Sequence, residues 1–379
     1  MPAEHLLALG SALGALSILC WIAVAVRPGR GWDLRPVGED EPAPPAPAAW
    51  PPVALLVPAR NEAAALKLTL PALLAQEYPG PRRVIVIDDR STDGTGDVAR
   101  SLGADVVVGR DLPDGWAGKV WAMHQGAAAS TEPLLLLSDA DILHAPGSLL
   151  RLVAESEAGA LALNSRMARL RCESTAERLL IPAFVWFFGL LYPMRRVNRP
   201  ESPVAAAAGG CVLLRREALL EAGGFESIRG EIIDDVNLAR RVKSAGGKIR
   251  LSLSREEVRS LREYGTLGPL WKMVRRTAFT ELQRSWLRLL GTMTAMTLMF
   301  VAPPVLLVGG AALALFDGRY LALVIPGLGA WALQAALHRP ALRHFGLSGA
   351  RALALPLAGL LYALMTLDSA IRGGRGDWK

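Results

Sequence analysis

The middle part of the chain alternates between short aliphatic runs and longer stretches with helical spacing. The helical pattern is clearest at residues 61–76 and 119–130. This alternation predicts βαβ units around a mostly parallel sheet, with ligand sites at the carboxyl ends of the strands. The runs predicted as buried strands are VALLV (53–57), VIVID (84–88), DVVV (105–108), PLLLLSD (133–139) and CVLLR (211–215). We therefore predict an α/β domain over residues 53–254.

Apolar stretches flank this domain on both sides. Residues 6–26 are uncharged and long enough to cross a bilayer as a helix. Basic residues follow this stretch, which favours a retained anchor over a cleaved signal peptide and a cytoplasmic position for the chain after it. The later apolar stretches are 289–316, 320–337 and 352–371. We predict a transmembrane anchor at residues 1–27 and membrane helices within residues 289–379.

The charges at the end of the chain bear on the path of these last helices. Three simple crossings after a cytosolic domain would place Arg372, Arg375 and Lys379 on the outer side. That arrangement opposes the tendency of basic residues to stay inside. We therefore expect one of the three stretches to be re-entrant or interfacial.

Three further segments differ in composition from the predicted domain. Residues 28–52 are rich in proline and alanine, which predicts a semi-rigid extended linker. The apolar run in residues 179–199 predicts a helix lying in or on the bilayer, with Arg195 and Arg196 at lipid headgroups; a buried core helix is the alternative. Residues 255–288 end in a basic, aromatic stretch, which predicts an amphipathic interface helix or an ordinary domain-closing helix.

The composition favours a membrane-associated protein over a nucleic-acid-binding one. Hydrophobic residues make up 51% of the chain and charged residues 20%, with a net charge of +7. The basic residues form no long block and match no nucleic-acid-binding module, so we expect no nucleic acid partner. A phosphate-bearing substrate and an anionic membrane face explain the positive charge together. No G-x-G-x-x-G sequence follows the first strand, which argues against a nicotinamide-binding domain.

The sharpest chemical motif is Ser138-Asp139-Ala140-Asp141 at the end of a predicted strand. Residues two apart in an extended chain point to the same side, so both carboxylates can face one site. Mg²⁺ or Mn²⁺ takes oxygen ligands and bridges substrate phosphates, as a departing nucleoside diphosphate requires. The alternative is that Asp141 starts a turn and helps to cap the next helix.

Other polar residues follow predicted strands or begin predicted helices. Asp89 closes the second strand, where a carboxylate can accept hydrogen bonds from a base or a ribose. Lys119 and Gly210 suit contact with a diphosphate, although each also fits an ordinary helix start or strand entry. Asp234 and Asp235 open a helix; they either stabilise its dipole or supply a base that deprotonates an acceptor hydroxyl.

Five motifs follow one another along the chain: VALLVPARNE (53–62), VIDDRSTDGT (86–95), SDAD (138–141), AGGCVLLRR (208–216) and IDDVNLARR (233–241). Together they resemble family-2 glycosyltransferases of the GT-A fold. The segments 169–193 and 275–283 further resemble the hopene-associated glycosyltransferases of bacterial hopanoid biosynthesis. The resemblance implies a GT-A-type nucleotide-sugar-binding domain with transmembrane helices at both ends.

The resemblance also implies roles for single residues. Asp141 would bind the metal, with Asp139 contacting the ribose or bridging to the metal. Asp235 matches the catalytic base, and Asp234 stands where relatives carry glutamate. The positions that would border the donor are Pro58, Ala59, Glu62, Asp89, Lys119 and Gly210.

One departure concerns the acceptor side. Many relatives with lipid or polysaccharide acceptors carry a Q-x-x-R-W sequence. The nearest match here is Gln283-Arg284-Ser285-Trp286, which is one residue short with the arginine displaced. A role for Trp286 at the acceptor and membrane interface therefore stays open, and a processive polymerase is not favoured.

The function expected from these features is inverting sugar transfer from a nucleotide-sugar donor, a UDP-sugar, to a lipid acceptor such as a hopanoid. The cofactor expected is Mg²⁺ or Mn²⁺. The enzyme would be a multi-pass protein of the inner membrane with its catalytic domain facing the cytoplasm. Transfer to polyprenyl phosphate or a glycerolipid, and a non-catalytic membrane scaffold that retains the fold, are the alternatives.

Overall fold

The computed structural model describes residues 3–35 and 38–372, which divide into two compact units. The helical unit contains the described residues up to Leu34, the segment Cys172–Pro193 and the described residues from Tyr264 onward. The sheet unit contains the described residues of Arg35–Arg171 and Met194–Glu263. Arg375 and Lys379, which bear on the predicted path of the last helices, lie outside the described residues.

A seven-stranded, mostly parallel sheet forms the centre of the sheet unit. Its order is β3-β2-β1-β4-β7-β6-β8, with β7 antiparallel to both of its neighbours. Two short strands, β5 and β9, pair separately. The strands are β1 Val53–Ala59, β2 Arg82–Asp88, β3 Asp105–Val108, β4 Leu134–Ser138, β5 Ile142–His144, β6 Leu163–Met167, β7 Cys211–Arg215, β8 Ile249–Leu253 and β9 Val258–Ser260. The predicted α/β class is confirmed.

Helices of the sheet unit connect these strands. All seven residues of the central strand β1 are buried, as expected for a parallel strand covered on both faces. Helix α9 has arginine and lysine in its last turn and two aspartates in its first, which matches the direction of the helix dipole. The helices are α2 Ala63–Leu74, α3 Thr95–Ser101, α4 Gly118–Ala128, α5 Ser148–Gly159, α7 Met194–Val197, α8 Arg216–Glu221 and α9 Asp234–Ser244.

The sheet unit reaches beyond the predicted boundary at residue 254. Strand β9 pairs with β5 through the register Ile142↔Ser260, so the chain stays in this unit up to Glu263. The first part of the predicted interface region, residues 255–263, therefore belongs to the sheet unit. The strand is three residues long and carries an arginine in its middle, a pattern that hydrophobic periodicity does not detect.

Part of the predicted linker is docked rather than extended. The carboxylate of Glu39 accepts hydrogen bonds from the loop before β9, and Gly38 lies so close to the guanidinium of Arg166 that a Cβ would meet Nη1 at 1.5 Å. The donors to Glu39 are Ser254 Oγ at 2.5 Å and the backbone N–H groups of Arg255, Glu256 and Glu257 at 2.6, 3.2 and 2.9 Å. A spacer in water would make none of these contacts.

The helical unit contains α1, α6 and α10–α14. Among the described residues, five segments are long and apolar enough to cross a membrane by length and composition: Glu4–Val26, Thr175–Val197, Trp286–Ala314, Gly318–His344 and Gly349–Arg372. All of them lie in the helical unit except for the last four residues of the second segment, which belong to the sheet unit. The helices are α1 Ala3–Val26, α6 Thr175–Leu191, α10 Leu267–Glu281, α11 Trp286–Met296, α12 Ala302–Ala314, α13 Leu321–His344 and α14 Leu355–Arg372.

Helix α6 is packed within the helical unit rather than standing at the edge of the sheet domain. Trp186 is fully buried and donates its indole N–H to the Leu337 carbonyl at 3.0 Å. At the start of the helix, Glu177 accepts N–H bonds from Glu173 and Ser174 at 2.9 Å each. Because β6 and β7, which flank α6 in sequence, pair in one sheet, a single full crossing by α6 would separate paired strands.

An irregular turn precedes the adjacent residues Pro303 and Pro304, since proline is a common cause of helix kinks. A π-helical segment, Thr297–Val301, lies between α11 and α12. Pro303 has no N–H to donate to the carbonyl four residues earlier, that of Met299. The indole N–H of Trp21 supplies the missing bond at 3.1 Å. The predicted amphipathic helix also ends early, at Glu281, because Gln283 and Arg284 adopt positive φ before α11 begins.

The docking of Glu39 can be tested through stability. Glu39→Ala should lower the unfolding free energy of the sheet unit by about 1–3 kcal/mol, because the charged carboxylate accepts four hydrogen bonds, two of them part-buried. Asp40→Ala removes only an exposed ion pair with Arg255 at 2.6 Å and should cost less than about 1 kcal/mol. Urea unfolding of the purified chain in detergent measures both. Equal losses of unfolding free energy in the two variants would contradict the docking of Glu39 on the loop before β9.

Candidate active site

The candidate site lies where several loops meet at one edge of the sheet. The parallel strands β1, β2 and β4 end at this edge, and the antiparallel strand β7 begins there. The pairing of Ser138 with Cys211 therefore brings Asp139 beside the glycines that precede β7. The backbone N–H of Asp139 donates to the Gly210 carbonyl at 3.4 Å.

A mostly buried ammonium group links acidic residues from two of these loops. Lys119, at the start of α4, places Nζ 2.7 Å from Asp139 Oδ1 and 3.5 Å from Asp234 Oδ2. Burial favours neutral lysine, but the two carboxylates outweigh it and raise the pKa of Lys119. Burial also raises the pKa of Asp139, with Lys119 opposing the change. Lys119 therefore stays positive and compensates the acidic edge.

Asp235 is held in one orientation by two backbone donors. Its Oδ2 accepts the N–H of Gly209 at 2.7 Å, and its Oδ1 accepts the N–H of Val236 at 2.8 Å. Burial and the neighbouring Asp234 carboxylate raise the pKa of Asp235 to about 7, against the opposing charge of Lys119. A carboxylate with this pKa can accept a proton at neutral pH.

Gly209 makes room for both charged groups. A Cβ at this position would lie 3.1 Å from Lys119 Nζ and 3.3 Å from Asp235 Oδ2. These distances are shorter than ordinary van der Waals contacts, so any side chain would push the lysine or the aspartate aside. Gly209 is thus a part of the site that the predicted set does not include, although the Gly-Gly sequence signals it.

Asp141 belongs to a second cluster with Arg262. Its Oδ2 accepts from Arg262 Nε at 2.8 Å and from Ser260 Oγ at 3.1 Å. Burial would raise the pKa of Asp141, but these contacts outweigh it and lower the pKa. Arg262 also places Nη2 3.6 Å from Glu62 Oε1. The ion pair therefore joins the loops after β1 and β4.

The loops after β1 and β2 hold Asp89 in a buried position. Its backbone N–H donates to the Ala59 carbonyl at 2.8 Å, and its carboxylate lies 3.5 Å from Arg60 Nη1. Burial raises the pKa of Asp89, and the charge of Arg60 opposes the rise. Pro58 and Ala59 are the last residues of β1, so they lie at the same edge.

The structure thus brings most of the predicted residues to one edge, although not all. Arg195, which is exposed, and Arg196 lie on the short helix α7 of the sheet unit. Trp286 belongs to the helical unit, where its side chain is 62% exposed and its ring lies 5.4 Å from that of Phe279. Their predicted roles at the acceptor and the membrane remain predictions.

Two carboxylates suit a divalent cation that also binds phosphate. Within residues 3–35 and 38–372, no group of three or more His, Cys, Asp or Glu side chains is arranged to hold a metal. Mg²⁺, however, is usually bound by one or two carboxylates together with substrate phosphates rather than by a cage of protein ligands. The hard oxygen donors of Asp139 and Asp141 therefore fit Mg²⁺ or Mn²⁺.

Comparison with solved structures defines the class of fold. The chain is similar to the mannosyltransferase PcManGT from Pyrobaculum calidifontis, whose structure contains GDP-Man and Mn²⁺. The two share a TM-score of 0.56 and 18% sequence identity, over 86% of this chain and 97% of that chain. The sheet unit thus has the fold of a GT-A glycosyltransferase.

Sequence relatives then define the family. The profile of Glycosyl transferase family 2 matches residues 54–223. Uncharacterized glycosyltransferases of Mycobacterium tuberculosis and Mycobacterium bovis are 36% identical over 197 residues, 52% of this chain and 81% of each relative. A 4,4′-diaponeurosporenoate glycosyltransferase of Staphylococcus aureus is 40% identical over 89 residues, 23% of each chain. The chain belongs to glycosyltransferase family 2 and transfers a sugar from a nucleotide-sugar donor.

Gly209→Ala tests the packing of this site. The added methyl group should displace Lys119 or Asp235 by a few tenths of an ångström and lower the rate of sugar transfer at least about threefold, since a displacement of about 1 Å costs on the order of a hundredfold. Gly147→Ala is the matched control, since a Cβ there meets nothing within 4 Å. Both rates are measured as release of nucleoside diphosphate, and both variants should melt within a few degrees of the wild type. A Gly209→Ala variant as active as the wild type would contradict the geometry.

Proposed function

We propose that this chain is a membrane-bound, inverting glycosyltransferase that moves a sugar from a UDP-sugar to a hydroxyl group of a lipid, with a hopanoid as the acceptor. One observation carries the proposal. Carboxylates from separate loops converge around Lys119 at the carboxyl edge of the sheet, in a chain whose described residues include five segments long and apolar enough to cross a membrane.

The nucleoside part of the donor is assigned to the loops after β1 and β2. Buried Asp89 accepts a hydrogen bond from the base, with Pro58, Ala59 and Glu62 bordering the nucleoside. This assignment is supported by the position of all four residues at the edge where ligands of such sheets bind. Lys119 and the backbone around Gly210 lie toward the diphosphate, whose negative charge the ammonium balances.

The diphosphate end of the site is where a cation would bind. Asp139 and Asp141 would hold Mg²⁺ or Mn²⁺, which when bound neutralises the charge that develops on the departing diphosphate. Lys119, 2.7 Å from Asp139, adds a second positive group at the same place. Its ion pairs also fix the orientation of the Asp139 carboxylate, so little reorganisation is needed during the reaction.

Asp235 acts as the general base in this proposal. The acceptor oxygen attacks the anomeric carbon while the bond from that carbon to the phosphate oxygen breaks, and UDP leaves with the bonding electrons. The hydroxyl proton passes to Asp235, which Gly209 and Val236 hold in place. A single displacement inverts the anomeric centre. Asp234 helps by keeping Lys119 charged and by raising the pKa of Asp235.

The acceptor is assigned to the bilayer. The apolar segments of the helical unit support a membrane location, and a relative that acts on 4,4′-diaponeurosporenoate supports a lipid-like acceptor. Basic residues after the first apolar segment support the inner membrane with the catalytic domain in the cytoplasm. Arg195, Arg196 and Trp286 would contact headgroups or the acceptor.

A comparison of acceptors tests the function directly. The purified chain in detergent is given UDP-sugars, Mn²⁺ and, separately, a hopanoid alcohol, polyprenyl phosphate or diacylglycerol. Mass spectrometry should find the sugar on the hopanoid. Transfer to one of the other lipids and not to the hopanoid alcohol would support glycosyltransferase activity and exclude a hopanoid as the acceptor. If calorimetry detects no binding of UDP and Mn²⁺, the alternative is favoured that the chain is a non-catalytic membrane scaffold.

Asp141→Ala tests the metal assignment. Without this carboxylate the cation should bind at least about tenfold more weakly, and donor turnover should be lost while the fold is kept. Calorimetry with Mn²⁺ and UDP measures binding, and circular dichroism checks the fold. Asp105→Ala, which removes an exposed ion pair of β3 with Arg83, is the control. Full activity of Asp141→Ala would exclude the assignment.

The pH profile tests the role of Asp235. Only the ionised carboxylate accepts a proton, so kcat/KM should fall about tenfold per pH unit below about pH 7 and level off above it. Asp235→Asn should bind UDP as the wild type does, yet transfer sugar at least about a hundredfold more slowly. Weak UDP binding by Asp235→Asn would instead indicate a structural role.

A further inference from the structure

Arg262 is the strongest partner of Asp141 among the described contacts. Its Nε lies 2.8 Å from Asp141 Oδ2, and the Asp141 side chain is only 11% exposed. A charge-assisted hydrogen bond of this length in a nearly buried place is among the stronger polar contacts in proteins. The carboxylate assigned to the cation is therefore already engaged by a positive group of the chain itself.

The backbone holds Arg262 in this position. Strand β9 pairs with β5, which directly follows Asp141, and the N–H of Leu261 donates to the Asp141 carbonyl at 2.8 Å. Ser260 adds a hydrogen bond to the same carboxylate oxygen at 3.1 Å. The segment after β9 thus reaches the site through a fixed strand register rather than through a free loop.

The other side of the guanidinium faces a second acidic residue. Arg262 Nη2 lies 3.6 Å from Glu62 Oε1. Glu62 follows β1 and Asp141 follows β4. The guanidinium of Arg262 therefore lies between the nucleoside side and the metal side of the proposed donor site. The side chain of Arg262 is 35% exposed, which leaves it a path to move without unfolding of the strand pair.

Two cations on one carboxylate repel each other. A divalent ion at Asp141 would meet the guanidinium within a few ångströms, where charges interact strongly in a partly buried site. Binding of the ion must therefore include the cost of weakening the Arg262 contact. A site without the arginine would lack this cost.

We propose that Arg262 is an internal counter-cation of Asp141 that competes with the divalent cation and turns away from Asp141 when the cation binds. This inference rests on the proposed function, because it takes Asp141 as a metal ligand. Arg262 is a positioning residue here: it keeps the Asp141 carboxylate charged and oriented, and it sets how tightly the cation is held.

Direct titration of Mn²⁺ without nucleotide tests the competition. Free Mn²⁺ is measured by electron paramagnetic resonance with the full chain in detergent. Arg262→Gln should bind Mn²⁺ at least about fivefold more tightly than the wild type, because the competing charge is gone. Arg262→Lys keeps a positive charge and should stay closer to the wild type. The double variant Asp141→Ala/Arg262→Gln should lose the gain.

Arg83→Gln is the matched control. Arg83 makes a similar contact, 2.8 Å from Asp105, near the start of β2 and so at the end of the strands away from the site. Its removal should leave Mn²⁺ affinity unchanged. Unchanged or weaker binding by Arg262→Gln, or a gain that survives in the double variant, would overturn the inference.

A measurement on the wild type keeps the test valid if Arg262→Gln does not fold. Mn²⁺ should increase the labelling of Arg262 by phenylglyoxal at least about twofold, as its pair with Asp141 opens, and leave the labelling of Arg83 unchanged. Constant or reduced labelling of Arg262 would overturn the inference. If the wild type binds UDP with Mn²⁺ and these signatures are missing, only the role of Arg262 fails. A wild type that binds neither ligand overturns the proposed function as well.

Discussion

The acidic edge of the sheet depends on one mostly buried ammonium group. Carboxylates gathered in a partly buried place repel each other, and their mutual repulsion would drive some of them to take up protons or move apart. Lys119 opposes this by lying 2.7 Å from Asp139 and 3.5 Å from Asp234. It lets the loop after β4 and the start of α9 approach each other. The same charge then suits a donor that carries a diphosphate.

Two further ion pairs extend this principle across the edge. Arg262 joins Asp141 to Glu62, and Arg60 lies beside Asp89. Positive and negative groups therefore alternate from the loop after β2 to the start of α9. In such an arrangement burial and the nearest charges together set the direction in which the pKa of each carboxylate shifts. Burial and the neighbouring Asp234 carboxylate raise the pKa of Asp235, whereas the contacts of Asp141 with Arg262 and Ser260 outweigh burial and lower the pKa of Asp141.

The strands that can be predicted from the sequence are those whose buried side chains are hydrophobic. Strand β1 consists of aliphatic residues on both faces and was predictable from that run alone. Strand β6, Leu163–Met167, is equally buried but contains Asn164, Ser165 and Arg166. Arg166 is fully buried because Glu155 and Ser252 each bond to it at 2.6 Å. These partners come from distant segments, so no local pattern predicts the strand.

By itself, the sequence determined the α/β class, the apolar segments at both ends and the acidic motifs that follow strands. These features follow from residue type and short-range spacing, which are local. Only the tertiary structure decided that Glu39 docks in the sheet unit, that α6 packs with the apolar helices, and that Arg262 pairs with Asp141. Each of these depends on contacts between segments far apart in the chain. Burial and charge pairing at such distances arise from the folded backbone, and no nearby residue encodes them.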